Sequence, residues 1–219
     1  MTRGRLIVFE GGEGCGKSTQ AARLAARLDA LLTRQPGGTE LGGEIRGIVL
    51  AGAENGLVDR AEALLMAADR AQHVEQLVEP TLASGRHVVC DRYIGSSVAY
   101  QGYGRGLDVD MVRAISGWAV GGLWPDLNVL LTVPAEVARA RTGGERDRIE
   151  AAGREFHERV AEGFRAQAED EPEYWVEVDG TGTPDEVEER VLDAIDEVLD
   201  LDLGPDAALG DVPGGGAAP

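Results

Sequence analysis

Arg5-Leu6-Ile7-Val8-Phe9-Glu10-Gly11-Gly12-Glu13-Gly14-Cys15-Gly16-Lys17-Ser18-Thr19 decides how the rest of this chain is read. Residues 11 to 18 complete a G-x-x-x-x-G-K-[ST] phosphate-binding loop. The apolar run before them predicts a buried strand, and Ala21, Leu24, Ala25 and Leu28 recur at helical spacing over Ser18 to Leu28. Strand, glycine loop and helix is the context the motif requires. Backbone N–H groups of such a turn, opening onto the positive end of a helix, form a cradle for a polyphosphate. The motif therefore assigns Gly11, Gly12, Glu13, Gly14, Cys15, Gly16, Lys17, Ser18 and Thr19 to binding of ATP, with Lys17 reaching the β and γ phosphates and the Ser18 hydroxyl on Mg²⁺. Lys17 is the sole lysine of 219 residues, every other Lys or Arg position being arginine. It stands where a compact ammonium fits and a broad guanidinium does not.

Working outward, further strands are expected over Ala30 to Thr33, His87 to Asp91, Leu127 to Val133 and Trp175 to Val178. Helical stretches separate them: Leu57 to Ala83, with a stripe of Leu64, Leu65, Ala68, Val74, Leu77 and Val78 and with Pro80 bending or shortening its end, then Arg154 to Ala168 and Pro184 to Leu199. This alternation predicts an α/β, P-loop NTPase-type three-layer fold, a parallel five-stranded sheet with helices on both faces. Ligands of such sheets sit at the carboxyl ends of the strands. Two further loops qualify: Arg34-Gln35-Pro36-Gly37-Gly38-Thr39, and Asp91-Arg92-Tyr93, whose aspartate closes an apolar strand as a Walker B carboxylate does. Arg139 to Arg148 carries four more arginines around Gly143-Gly144, a composition suited to a mobile lid that closes over transferring phosphates.

The net charge of −18 is uneven. Residues 169–219 hold 17 acidic residues and one arginine, leaving the remainder near neutral. An acidic end of this kind argues against a nucleic-acid partner. No apolar run reaches membrane-spanning length and the start leads straight into a strand, so a cytoplasmic protein with no membrane partner is expected. Cys15 and Cys90 make neither a disulfide framework nor a zinc set. Guanine-nucleotide switches need an Asn-Lys-x-Asp motif, which a chain with one lysine, at position 17, lacks. The size, the short loop and the spare arginines favour a small kinase with a second substrate facing the γ-phosphate.

Several stretches resemble, in order, the successive signatures of bacterial thymidylate kinase: Phe9 to Gln20, Thr33 to Thr39, Leu64-Leu65-Met66-Ala67-Ala68-Asp69-Arg70-Ala71-Gln72-His73, Cys90 to Tyr93, Ala99-Tyr100-Gln101-Gly102-Tyr103-Gly104-Arg105-Gly106, Asp147-Arg148-Ile149-Glu150 and Phe156 to Val160. The resemblance spans about residues 5 to 200 and implies Mg²⁺- and ATP-dependent phosphorylation of dTMP to dTDP by a homodimer, with the apolar face of the Leu57 to Ala83 helix as the contact. It implies one nucleoside monophosphate kinase domain over 1–203 with a lid at about 141–151; 204–219 is expected to be a disordered acidic Gly/Pro tail.

Carried over by position, the resemblance places Glu13 near the deoxyribose 3′-hydroxyl, Arg34 and Arg92 on the dTMP phosphate, and Asp91 on the metal while orienting Arg92. Arg70, Ser97 and Gln101 would read the thymine, and Tyr100 would pack near the sugar. The phosphate loop lacks the arginine that one form of the family carries. Arg146 and Arg148, with Arg141, would then supply the transition-state charge. The chain departs from the family at Met66, usually a base-stacking Phe, at Gln35, usually a Glu expected to orient Arg34, and in a short span from Lys17 to Arg34. A kinase for another deoxynucleoside monophosphate, or a nucleotide-binding relative with little transfer activity, stays open at this point.

Overall fold

The computed structural model describes residues 2–51, 56–142, 148–199 and 201. In chain order the main elements are β1 (Leu6–Glu10), α1 (Lys17–Arg27), β2 (Leu31–Arg34), α2 (Glu40–Leu50), α3 (Asp59–His73), α4 (Glu79–Ala83), β3 (Val88–Asp91), α5 (Ile94–Ser97), α6 (Val109–Ala119), β4 (Leu127–Thr132), α7 (Ala135–Arg141), α8 (Arg154–Asp170), β5 (Trp175–Asp179) and α9 (Pro184–Asp196). Residues 143–147 of the proposed lid, Arg146 among them, and the tail 204–219 lie outside the described residues.

The strands form a parallel sheet in the order β2-β3-β1-β4-β5. β1 is central and wholly buried. Its period of two sends Ile7 and Phe9 to one face, where they meet Ala21 and Leu24 of α1 and Val187, Val191 and Ile195 of α9. Leu6 and Val8 go to the other, against Val74, Val78, Tyr93, Val98 and Val112. Both faces are thus covered by helices, which is why the strands are nearly continuous in apolar residues.

The same alternation places the ends of the strands. Glu10 falls on the Leu6 and Val8 face, beneath α5. Asp91 shares the face of Val89, toward the start of α1. Arg34 pairs in register with Asp91 across β2 and β3.

The stretch expected as one helix from Leu57 to Ala83 is three pieces. α3 ends at His73, residues Val74–Val78 form a wider π turn, and α4 follows. Pro80 has no N–H and its ring would meet the carbonyl four residues earlier, so the backbone widens ahead of it. The expected apolar stripe also divides: Val74 and Val78 are buried, whereas Leu64 and Ala68 face solvent. The inward face of α3 instead carries Glu62, Met66, Asp69, Arg70 and His73, because it borders a site and not only a core. A second π turn, Val98–Gly104, carries Tyr100 and Gln101.

Candidate active site

The phosphate loop runs from the end of β1 into α1. Two of its glycines are required by close approach: a Cβ on Gly11, at φ +137, would lie 2.4 Å from the Leu131 carbonyl oxygen of β4, and one on Gly14, at φ +72, 2.5 Å from that of Ala138 in α7. Lys17 is buried and its Nζ donates to the Gly12 carbonyl at 2.6 Å, folding the ammonium back under the loop. Ser18 Oγ donates to Asp91 Oδ2, and Asp91 Oδ1 is buried without a hydrogen-bond partner. A hydroxyl and a carboxylate side by side, with an oxygen to spare, are hard ligands of the kind Mg²⁺ takes in ones and twos while phosphates and water complete its shell.

Arg92 follows directly. It turns the chain out of β3 at φ +71, a left-handed conformation uncommon for a residue with a side chain. Its Nη1 donates to the Gly11 carbonyl at 3.0 Å and to Ser96 Oγ at 3.1 Å, its Nη2 pairs with Glu13, and its guanidinium lies 5.0 Å from the centre of the Tyr100 ring. Burial opposes its charge, but the carboxylates of Glu13, Asp91 and Glu10 override this and raise its pKa. Glu13 is held below the usual carboxylate range: burial pushes it up, and Arg92 and Lys17 more than compensate. Asp91, expected to orient Arg92, faces Ser18 instead; Glu13, Ser96 and Gly11 hold the guanidinium.

Glu10 escaped the sequence reading. It is fully buried and accepts from the backbone N–H groups of Tyr93 and Ser96, each at 2.9 Å, and from the Ser96 hydroxyl. Burial raises its pKa. It ties the segment after Arg92 to β1, and so fixes where Arg92 points. A glutamate ending an otherwise apolar buried strand was the available signal.

Beyond Arg92 opens a recess lined by Glu13, Pro36, Arg46, Leu50, Met66, Arg92, Ser96, Tyr100, Gln101 and Ile149. It gathers five of the expected residues. Met66 packs with Ile45 and Val49. Burial raises the Tyr100 phenol to about 12, so it stays neutral. Its hydroxyl and Gln101 Oε1 are buried without partners, and both belong to recess-lining residues. Arg46, which donates to the Pro36 carbonyl at 3.1 Å, also escaped the sequence reading, since α2 was not foreseen.

Arg70 and Ser97 lie outside the lining, joined to each other at 2.9 Å. Arg70 is fully buried. Its Nε donates to Gln35 Oε1 at 2.9 Å, Nη2 also to the Tyr93 carbonyl at 3.0 Å, and Nη1 to Ser116 Oγ at 3.3 Å. Gln35 therefore positions Arg70, and the expectation that this position governs Arg34 is corrected. Arg34 is exposed at the end of β2. Its side chain leaves the sheet on the solvent side while that of Gln35 turns inward, because neighbouring residues of an extended chain point oppositely.

A chain of hydrogen bonds continues from Gln35 Nε2 to His73 Nδ1 at 2.7 Å and from His73 Nε2 to Thr33 Oγ1 at 2.7 Å. With Gln35 Oε1 accepting from Arg70, its amide nitrogen must donate to Nδ1, so the His73 proton sits on Nε2. Burial and then Arg70 lower the His73 pKa from 6.5 to about 4. Between those values the unfolded chain binds the proton and the folded protein does not. His73 therefore contributes fully above pH 6.5 and loses about 3 kcal/mol as pH falls through 4. Urea midpoints measured from pH 7 to 4 should show this limb, and His73→Gln should flatten it; an equally steep fall in the variant would assign the limb to other groups.

The arginines at the end of α7 and beyond it divide. Arg141 donates to the carbonyls of Gly180 at 2.9 Å and Gly182 at 3.2 Å, beside the phosphate loop. Arg148 pairs with buried Glu62 and donates to the Val49 carbonyl at 3.1 Å. Cys15 and Cys90 are both buried and unbridged. Among the described residues no helix is long and apolar enough to cross a membrane, and no three His, Cys, Asp or Glu side chains cluster as a metal site.

A family model described as thymidylate kinase matches residues 9–191. A thymidylate kinase of Synechococcus sp. (strain JA-2-3B'a(2-13)) is 46% identical over 200 residues, covering 89% of this chain and 96% of that protein. One from Solidesulfovibrio magneticus is 45% identical over 207 residues, covering 88% and 99%. Among solved structures, thymidylate kinase from Ehrlichia chaffeensis aligns with a TM-score of 0.74 at 28% identity, over 88% of this chain and 99% of that one.

Proposed function

This chain belongs to the thymidylate kinase family, and we infer that its site moves the γ-phosphoryl group of ATP onto the phosphate of dTMP, giving ADP and dTDP. One observation carries the reading. Arg92 touches the phosphate loop through Gly11 and Glu13 and lies over Tyr100 of the recess, so a single cation spans the donor cradle and the acceptor site.

The acceptor is already a phosphate anion, so no strong general base is needed. The work is in-line positioning and neutralisation of two repelling anions. The loop from Gly11 to Thr19 holds the ATP phosphates, with Lys17 as the loop's cation. Arg92 takes the dTMP phosphate, joined by Arg34 when its solvent-facing side chain swings in from the neighbouring strand end. Glu13 serves the sugar 3′-hydroxyl, and Tyr100 packs against the sugar. Met66 covers the base and Gln101 sets its polar edge, with Arg70 and Ser97 behind the lining to complete it. Ser18 and Asp91 would hold Mg²⁺, which when bound neutralises charge on the β and γ oxygens. Arg146 and Arg148 supply the transition-state charge, Arg148 leaving Glu62 to do so.

We place the enzyme in the cytoplasm as a homodimer. The exposed apolar side chains of Leu64 on α3 and Trp118 on neighbouring α6 support a partner surface.

An ADP-release assay across dTMP, dUMP, UMP, dGMP and AMP tests the activity. Preference for dTMP is the expected result; a different preferred acceptor, or nucleotide binding without ADP release, would overturn it. Within that assay Met66→Phe should lower the KM for dTMP about tenfold, because a stacked aromatic ring is worth about 1–3 kcal/mol to a base and a thioether is less rigid. An unchanged KM would remove Met66 from the base contact.

A further inference from the structure

Glu62 has none of the roles above, yet its carboxylate is completely shielded from solvent. It accepts from three other segments: Gln101 Nε2 in the π turn at 2.7 Å, Arg105 Nη2 at 3.1 Å, and Arg148. Burial pushes its pKa up, but Gln101, Arg148 and Arg105 together hold it below the ordinary range. An ionised carboxylate can only accept hydrogen bonds. The Gln101 amide therefore keeps its NH₂ toward Glu62 and its carbonyl oxygen away. That oxygen is buried and unpartnered in a residue that lines the recess beside Met66 and Tyr100. Such an orphaned acceptor is costly to maintain. It marks the place where a ligand donor belongs.

We propose that Glu62 is a specificity-determining positioning residue: it locks the Gln101 amide so that the recess presents an acceptor, selecting a pyrimidine whose N3 carries hydrogen over one whose N3 is a bare lone pair. Thymine and uracil are of the first kind, cytosine of the second. Without the lock the amide could rotate half a turn and offer its NH₂ to cytosine N3, since the two ends of the group have the same shape and opposite polarity. Arg105, whose pairing with Glu62 does not depend on Arg148, keeps the lock set by compensating the buried charge. The proposal rests on the recess being the dTMP site.

The test compares kcat/KM for dTMP, dUMP and dCMP in the full-length protein and in Glu62→Gln, with thermal midpoints recorded alongside. Glutamine has the same shape as glutamate but can donate as well as accept, which frees Gln101 to rotate. The expected result is a fall of about tenfold or more in the dTMP to dCMP preference, with KM rising for dTMP and falling for dCMP. dUMP should follow dTMP, because it shares the N3 hydrogen. An unchanged ratio, or a KM that rises by the same factor for all three, overturns the proposal, whatever happens to the midpoint. Should Glu62→Gln fail to fold, Glu62→Asp takes its place: its shorter carboxylate keeps the charge but withdraws from the Gln101 amide, so a fallen dTMP to dCMP ratio supports the lock and a preserved ratio overturns it. A wild-type protein that does not phosphorylate dTMP would instead sink the assignment of the recess, so the two failures are distinct.

Discussion

Lys17→Ala should lower turnover by about 10³-fold at saturating ATP and dTMP, the loss seen when a preorganised group facing developing charge is removed. The ammonium is buried under the loop and bonds the Gly12 carbonyl, with Cys15 Sγ 3.5 Å away. Little else in the fold depends on it, so the thermal midpoint should move by only a few degrees. Lys17→Arg should not rescue the loss, because the ammonium is buried against the Gly12 carbonyl and a broad guanidinium cannot present a point charge there. ADP release under single-turnover conditions is the measurement. A Lys17→Ala protein retaining more than about a tenth of wild-type turnover would remove Lys17 from the transferring phosphate.

Arg92 is the second large effect, and its backbone allows activity to be separated from stability. Replacing it removes the bonds to Gly11, Ser96 and Glu13 and the cation over Tyr100. Both Arg92→Ala and Arg92→Gly should lose about 10³-fold or more in kcat/KM for dTMP, the scale at which arginines act on phosphoryl transfer. Their stabilities should differ. At φ +71 alanine keeps the left-handed strain that arginine bears, whereas glycine adopts that conformation freely. Arg92→Gly should therefore be about 1 kcal/mol more stable than Arg92→Ala while being no more active. Activity that tracks stability across the two variants would mean that Arg92 serves folding and not transfer.

These expectations draw unequally on sequence and structure. The glycine loop between an apolar strand and an amphipathic helix is local, and local patterns are written directly in the chain. The same holds for the five strands and their parallel arrangement, which follow from apolar runs separated by helical lengths; each boundary shifted by no more than about two residues. Of the site, Glu13, Met66, Arg92, Tyr100 and Gln101 were legible by position and do line one recess.

What stayed hidden depends on contacts far apart in sequence. Gln35 was read beside Arg34 because they are neighbours in the chain, but its amide meets Arg70 and His73 across the fold. Pro80 marked the end of the long helix as bent or shortened, but the π turn over Val74–Val78 and the polar inward face of α3 came only with the tertiary structure.

Residue spacing by itself determined a glycine loop between an apolar strand and a helix, the local geometry from which polyphosphate binding is expected, since a turn of glycines before a helix dictates its own shape. The tertiary structure alone decided which donors each buried carboxylate holds. Glu10 under Ser96, and Glu62 between Gln101, Arg105 and Arg148, are separated from their partners by 39 to 86 residues. A charge in a low-dielectric interior is stable only where the completed fold brings its counter-charge or donor within reach.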